Sequence, residues 1–245
     1  MKPPFLVLDT VDSTNDFLKR EALHREMNFF AVRAKQQTAG RGRHSRTWEA
    51  GSENLAFSFV FKTENLENPA IASIYTGLAL YKALTRITGA QINIKWPNDI
   101  TCNSSKLAGI LSELVFDSGK PVLIIGIGLN VNSIPSPELI QNSAICLQEI
   151  IHQEYNLDHI MLEIMSDIRE LFFHFEATLP EQIIREWNSA AQCKGKKIKI
   201  PGSENKSVYT IQGLEPNGNL LVHDEGGKPH SLQFGEITYV ENSNS

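Results

Sequence analysis

QTAGRGRHSRTW, residues 37–48, carries two glycines spaced one apart (Gly40, Gly42), three arginines (Arg41, Arg43, Arg46), a histidine (His44) and a closing tryptophan (Trp48). The whole chain of 245 residues has a formal net charge of -5, so this cluster of cations runs against the balance around it. Glycines let backbone N–H groups turn inward and approach an anion closely. Arginine forks match phosphate oxygens two at a time. A tryptophan offers a flat apolar face to a nucleobase. One reading is a loop that closes over a nucleoside triphosphate. The other is a solvated basic surface loop, and the stretch by itself does not choose between them.

At 41% hydrophobic and 21% charged residues the composition is that of an ordinary globular protein. The length suits one large domain, or a medium domain with a small one. The acidic balance argues against a broad nucleic-acid-binding face, so no DNA partner is expected. Cys102, Cys146 and Cys193 are odd in number and lack metal-ligand spacing, which suggests free thiols in a reducing compartment. The start, MKPPFLVLDT, has too short an apolar run for a signal peptide, and no stretch approaches the roughly 18 apolar residues of a membrane span. A cytoplasmic protein without a membrane partner is the expectation. The sequence leaves a homodimer open.

Outward from the Gly/Arg stretch, residues 5–8 (FLVL) and Phe29–Ala34 read as strands. Between them, Ser13 with Asp16 fits a capping box, with Phe17, Leu18, Ala22 and Leu23 as a helix face. That accounts for one hydroxyl of DSTND and leaves Thr14 and Asn15 to serve a ligand at a helix N-terminus. Leu55, Phe57, Phe59 and Phe61 alternate as one buried aromatic face of a strand. Pro69 opens a helix that ends near Gly89. Residues 92–99 (INIKWPND) are a strand running into a Pro-Asn-Asp turn, and residues 106–114 (KLAGILSEL) are a further extended run. Residues 121–131 (PVLIIGIGLNV) form a central strand buried on both faces, where Gly126 and Gly128 let something pack close. Asn130 at its end needs partners, which a purine edge or a neighbouring backbone group could equally supply. Met161, Ile164, Met165, Ile168, Leu171, Phe172 and Phe175 make one helical stripe, and Ile183, Ile184 and Trp187 mark a second helix. Past residue 190 short strands around Val208–Gln212, Leu220–His223 and Ile237–Val240, with Asn217-Gly218 and Gly226-Gly227 turns, read as a separate small β-barrel.

Four separated features stand in one order: DSTND, QTAGRGR…W, KWPND followed by KLAGIL, and GIGLNVN. With the small C-terminal β-domain they resemble the biotin–protein ligases, over most of the chain. The resemblance implies an α+β protein. Residues 1–190 would be a mixed-sheet catalytic domain akin to class II aminoacyl-tRNA synthetases and lipoate ligases, and residues 191–245 an SH3-like barrel. It implies activation of biotin with Mg-ATP to biotinyl-5′-adenylate and pyrophosphate, then transfer to one lysine of a biotin carboxyl carrier domain. It assigns Ser13, Thr14, Asn15, Gln37 and Gly109 to biotin. Gly40, Arg41, Gly42, Arg43, His44, Trp48, Asn98, Asp99, Lys106 and Asn130 go to ATP and the adenylate, with Lys106 and Arg43 catalytic and Asp99 a ligand of Mg2+.

The residue types suit that chemistry, because two anions must meet and charge develops on the α-phosphoryl oxygens. Two departures stand out: Ser45 replaces a usual loop glycine, and Tyr239 replaces an arginine that some relatives place near ATP. No helix-turn-helix precedes Phe5, so a ligase without a repressor function is expected. A lipoate or octanoate enzyme on the same fold is the nearest rival, which would lack the polar clamp of Ser13, Thr14 and Gln37. A non-catalytic ligand-binding regulator would release no pyrophosphate. The C-terminal barrel is expected to be joined to the catalytic domain without sharing its core, so that its removal leaves the catalytic domain folded.

Overall fold

The computed structural model describes residues 5–21, 28–49, 51–63, 69–135, 143–176, 179–201, 207–233 and 237–240. Seven strands come first: β1 (Leu6–Val11), β2 (Ala31–Gln37), β3 (Leu55–Lys62), β4 (Ile92–Lys95), β5 (Asp99–Cys102), β6 (Ser105–Asp117) and β7 (Lys120–Leu129). They form one mixed sheet in the order β1-β2-β3-β7-β6-β5-β4, with β1 and β2 parallel and the other pairs antiparallel. The apolar run expected to be central is β7, the fourth of the seven, and its residues from Val122 to Leu129 are all buried.

The helices follow their sequence signals. α1 (Thr14–Glu21) lies on one face of the sheet; α2 (Pro69–Thr88), α3 (Leu147–Ile151), α4 (Leu157–Phe173) and α5 (Glu181–Ala191) are the other helices among the described residues. Proline opens α2 where its missing N–H costs nothing, and Gly89 with φ 63 ends it. The Asn156 side chain accepts the His159 N–H at 3.0 Å and caps α4. The stripe of α4 is buried at Met161, Ile164, Met165, Ile168 and Phe172. Phe175 lies past the helix end, yet its ring still meets Tyr75 at 4.9 Å and Phe61 at 5.2 Å.

Two local expectations change. The Ser13–Asp16 capping box is not formed: the Ser13 N–H donates to Asp12 Oδ1 at 2.8 Å, while Asp16 Oδ1 pairs with Arg41 at 2.6 Å. Asp12 does the capping from the other side, which frees Asp16 for the loop. β3 buries both faces rather than one, from Leu55 to Phe61. Its aromatic face meets α4, with Phe59 and Phe172 at 5.8 Å. Its other face carries Val60 against Leu18 of α1, and Ser58. Ala22 and Leu23, expected on α1, lie outside the described residues.

The C-terminal strands β8 (Lys197–Lys199), β9 (Tyr209–Leu214), β10 (Leu220–His223), β11 (Pro229–Leu232) and β12 (Thr238–Tyr239) form an antiparallel sheet in the order β11-β10-β9-β8-β12. β11 carried no strand signal of its own. Among the described residues β11 and β12 do not pair, so the described sheet is open. It is not an independent unit either. Ile198, Ile211, Leu214, Leu220, Val222 and Ile237 belong to the same contiguous apolar cluster as Trp187 and the α2–α4 core. Polar contacts reinforce the junction: Trp96 Nε1 donates to the Gly218 carbonyl at 3.3 Å, and the Leu214 N–H donates to Asn188 Oδ1 at 3.0 Å.

This shared core reverses the expectation for truncation. Each of those six side chains contributes roughly 1.5–3 kcal/mol by burial, against a net stability of about 5–15 kcal/mol for a whole domain. A chain ending at residue 191 is expected to lose cooperative unfolding, followed by near-ultraviolet circular dichroism on heating. A sharp transition at the full-length midpoint would contradict this.

Candidate active site

The cleft lies on the face of the sheet opposite α2 and α4, and its floor is set by strand register. Ser58, Gly126 and Leu111 stand side by side across β3, β7 and β6. Two residues along, Ala56, Gly128 and Gly109 do the same, and that row continues through Asp99 to Lys95 on the outer strands. A strand residue and its partner two positions away share one face, so the floor is nearly bare of side chains. Leu18, Val32, Val60, Val122 and Ile124 fill the same face further along, under α1.

One end of the floor is a chain of neutral polar groups. The Thr14 N–H donates to Gln37 Oε1 at 2.8 Å, and Thr14 Oγ1 lies 3.1 Å from the same oxygen. Ser58 Oγ lies 2.7 Å from Thr14 Oγ1 and 2.6 Å from Asn15 Oδ1. Asn15 Nδ2 donates to the Leu111 carbonyl at 3.3 Å and to Glu113 Oε2 at 2.8 Å. Asn15 lies so close to β7 that a Cβ on Gly126 would sit 2.3 Å from its Oδ1. With its oxygen occupied, Gln37 has its amide NH2 group on the side of Gly40. A Cβ on Gly40 would sit 2.8 Å from that nitrogen, so Gly40 makes room for it from behind the wall.

The Gly/Arg stretch is a short hairpin over this floor. Arg41 and Thr47 form a bridge, the Gly42 N–H donates to the Arg46 carbonyl at 2.7 Å, and the Trp48 N–H donates to the Gly40 carbonyl at 2.9 Å. Its tip is a 3₁₀ turn, Arg43–Ser45, with His44 left-handed at φ 53. The Ser45 side chain lies outside what is described. Trp48 comes down onto the floor: a Cβ at Gly128 would lie 2.0 Å from its ring, and one at Gly109 would lie 3.3 Å away. Trp48 Nε1 is buried without a hydrogen-bond partner.

The other end is cationic. Lys106 Nζ pairs with Asp99 Oδ1 at 2.7 Å and lies 5.6 Å from the centre of the Trp48 ring. Arg43 Nη1 donates to Asn98 Oδ1 at 3.3 Å, and Asn98 Nδ2 donates to the Ile110 carbonyl at 2.7 Å, which fixes the turn. Lys95 and Thr238 complete the rim. The Tyr239 ring sits between Lys95 at 5.9 Å and Lys196 at 5.3 Å, and burial pushes its phenol pKa up. Lys95, on the cleft rim, is thus one of two cations beside Tyr239.

Thr14, Asn15, Gln37, Arg41, Gly42, Arg43, His44, Trp48, Asn98, Asp99, Lys106 and Gly109 all line the cleft, as expected of them. Three expected residues do not. Ser13 is buried behind the wall, and Gly40 serves as spacing. Asn130 Nδ2 donates to the carbonyls of Lys106 at 3.3 Å and Ile145 at 3.1 Å, which braces the lysine's strand, while its Oδ1 is buried without a partner. The Arg41 guanidinium, expected at phosphate, is held by Asp16 and Glu113. Ser58, Glu113 and Lys95 went unassigned in the sequence. A hydroxyl in the apolar run FSFVF was the signal for Ser58; Glu113 had none. At Glu113 burial raises the carboxyl pKa, but hydrogen bonds from Lys19 and Asn15 and the charges of Lys19 and Arg41 outweigh it and hold the carboxyl below its ordinary range.

Residues 7–132, the part that builds this cleft, match the biotin/lipoate A/B protein ligase family. A biotin–[acetyl-CoA-carboxylase] ligase of Paracoccus denitrificans is 39% identical over 207 residues, 80% of this chain and 85% of that protein. The bifunctional ligase/repressor BirA of Escherichia coli is 30% identical over 231 residues, 90% of this chain and 69% of its own length. The biotin protein ligase of Aquifex aeolicus, solved in complex with biotin and ATP, superposes with a TM-score of 0.82 at 30% identity, covering 99% of this chain and 100% of that one. With a glycine-floored cleft, a polar clamp at one end and cations at the other, this chain belongs to the biotin/lipoate A/B protein ligase family, on its biotin–protein ligase side.

Proposed function

We propose that the cleft activates biotin with ATP and that the enzyme hands the biotinyl group to a lysine of a biotin carboxyl carrier domain. The observation that carries the assignment of groups is the separation of the two ends. A neutral clamp of Thr14, Asn15, Gln37 and Ser58 suits a ureido group, which has both donors and an acceptor. A lipoyl ring offers no such pattern, and a hydrogen-bonding site rejects ligands that leave its groups unpaired. The bicyclic ring and acyl tail lie between the clamp and Lys106, where the Trp48 ring now covers Gly128 and gives way to them. The carboxylate then meets the α-phosphate at Lys106 and Arg43.

In the first step a carboxylate oxygen of biotin attacks the α-phosphorus, the new C–O–P linkage forms, and the bond to the bridging oxygen breaks so that pyrophosphate leaves with the electron pair. Lys106 screens the approach of two anions and stabilises charge on the α-phosphoryl oxygens. The amine of the acceptor lysine, having lost a proton, then attacks the acyl carbon, an amide forms and AMP leaves. Among the described residues no group of three His, Cys, Asp or Glu side chains could hold a metal. One carboxylate suffices for magnesium travelling with ATP, because the phosphates supply most of its oxygens, and Asp99 in the cleft is that carboxylate. Bound there, the ion would neutralise phosphate charge.

We further take residues 191–245 as an SH3-like barrel that docks the acceptor while sharing the apolar core of residues 1–190. Lys194, Lys196, Lys197 and Lys199 are exposed and, among the described residues, have no carboxylate partner. Lys196 adjoins the cleft rim through Tyr239 and Lys95. An acidic acceptor surface fits this strip. No described helix is long and apolar enough to cross a membrane.

Incubation with biotin, Mg-ATP and a carrier domain should add one biotinyl mass to the carrier. Lys106→Ala is expected to cut pyrophosphate release by roughly 10²–10³-fold while the thermal midpoint holds; release at the parent rate would sink the role. Trp187 is fully buried and Trp96, though nearly so, lines the cleft; most of a ligand-induced change in indole emission should come from the more exposed Trp48 and be lost in Trp48→Phe. A change of equal size in that variant would show that Trp48 does not move. The double charge reversal Lys197→Glu/Lys199→Glu is expected to leave pyrophosphate release intact and raise the KM for the carrier. An unaltered KM would place docking elsewhere.

A further inference from the structure

Glu113 lies on β6 beneath the clamp and touches three residues on two elements, α1 and the hairpin. Its Oε2 accepts from Asn15 Nδ2 at 2.8 Å, and its Oε1 accepts from Lys19 Nζ at 2.8 Å. Both oxygens stand 3.1 Å from Nη2 of Arg41, the residue that opens the hairpin. Asp16 Oδ1 shares the same two cations, at 2.6 Å to Arg41 and 3.3 Å to Lys19. The Glu113 side chain is only 21% exposed. An ionised carboxylate only accepts hydrogen bonds. Asn15 can therefore present only its NH2 group to Glu113 and, at the longer 3.3 Å, to the Leu111 carbonyl, and its oxygen must face Ser58. Ser58 has one proton, and Asn15 Oδ1 takes it at 2.6 Å. The Ser58 oxygen is then left to accept from Thr14, whose backbone N–H holds Gln37 Oε1. The order of donors and acceptors thus runs from Glu113 through Asn15 and Ser58 to the Thr14 hydroxyl, while Gln37 Oε1 is held separately by the Thr14 backbone N–H.

We propose that Glu113 is a positioning residue that sets the donor and acceptor polarity of the head-group clamp through Asn15, and ties that clamp to the closed hairpin through Arg41. The proposal rests on the assignment of the clamp to the biotin head group. A partly exposed ion pair kept only for stability would change little when neutralised. A carboxylate that orders the amide chain would change ligand selectivity.

Glu113→Gln and Glu113→Ala separate the two ties. The glutamine keeps one acceptor for Asn15 and loses the charge that holds Arg41; the alanine loses both. Calorimetric titration with biotin is expected to show about a tenfold weaker Kd for the alanine variant and a change within about threefold for the glutamine variant. Both variants are expected to release pre-made biotinyl-adenylate about tenfold faster than the parent. The preference for biotin over 2-iminobiotin, in which an imine replaces the ureido carbonyl, should fall in the alanine variant and recover in the glutamine variant. Parent-like biotin affinity and selectivity in Glu113→Ala would overturn the proposal. So would a uniform loss of affinity for biotin, iminobiotin and ATP that follows a drop in melting temperature. If Glu113→Ala does not fold, parent-like release of adenylate by Glu113→Gln overturns the tie to the hairpin. Failure of the parent itself to bind biotin would instead strike the functional reading, before any variant is compared.

Discussion

The site depends on side chains that are missing. Gly126 and Gly128 alternate on β7, the strand with the sheet's apolar core on its other face. Their absent Cβ atoms let Asn15 and Trp48 approach the backbone to distances that an alanine would forbid. Ala56 and Gly109 widen the same floor. A sheet normally buries both faces of its central strands under side chains. Here one face is packed by α2 and α4, and the other is half covered by α1 and half left for a ligand. The strands can be central and still be open because the packing on the far face is dense, with Phe57 and Phe59 fully buried.

Above the floor, charge is arranged by distance from the neutral clamp. The three arginines of the hairpin do not act alike. Arg43 turns inward to Asn98 at the cationic end. Arg41 turns away to Asp16 and Glu113 and fastens the hairpin to α1 and β6. The sequence offered both as phosphate ligands because a guanidinium suits phosphate and carboxylate equally well. Two carboxylates already in place, from residues 16 and 113, hold Arg41 to the protein itself. Lys106 likewise rests on Asp99 before any phosphate competes for it.

The C-terminal sheet takes part in both the fold and the cleft. Its inner side chains extend the apolar cluster around Trp187, and Thr238 reaches the rim. A strip of lysines on β8 therefore comes to lie beside the cleft of an otherwise acidic protein. The composition change past residue 190 marked a boundary along the chain. It did not mark a boundary in space, since short strands with few apolar residues cannot enclose a core without help from a neighbour.

The sequence by itself determined the strands and helices with strong periodicity, the central place of β7, and most of the cleft wall. Those features are local: alternation, a proline at a helix start, a glycine at its end, an apolar run too long to face water. It also determined the family, because four short motifs in fixed order are specific where one is not. Only the tertiary structure decided the partners of the polar groups. Ser58 looks like an ordinary strand residue until register sets it beside Gly126 and under Thr14. Asn130 gives no sign in the sequence that the carbonyls of Lys106 and Ile145 take its NH2 group. Glu113 gives no sign in the sequence, because its role comes from joining residues 15, 19 and 41 across the sheet. Periodicity reveals which face a residue takes, whereas a hydrogen bond between distant residues needs the folded register to bring donor and acceptor within about 3 Å.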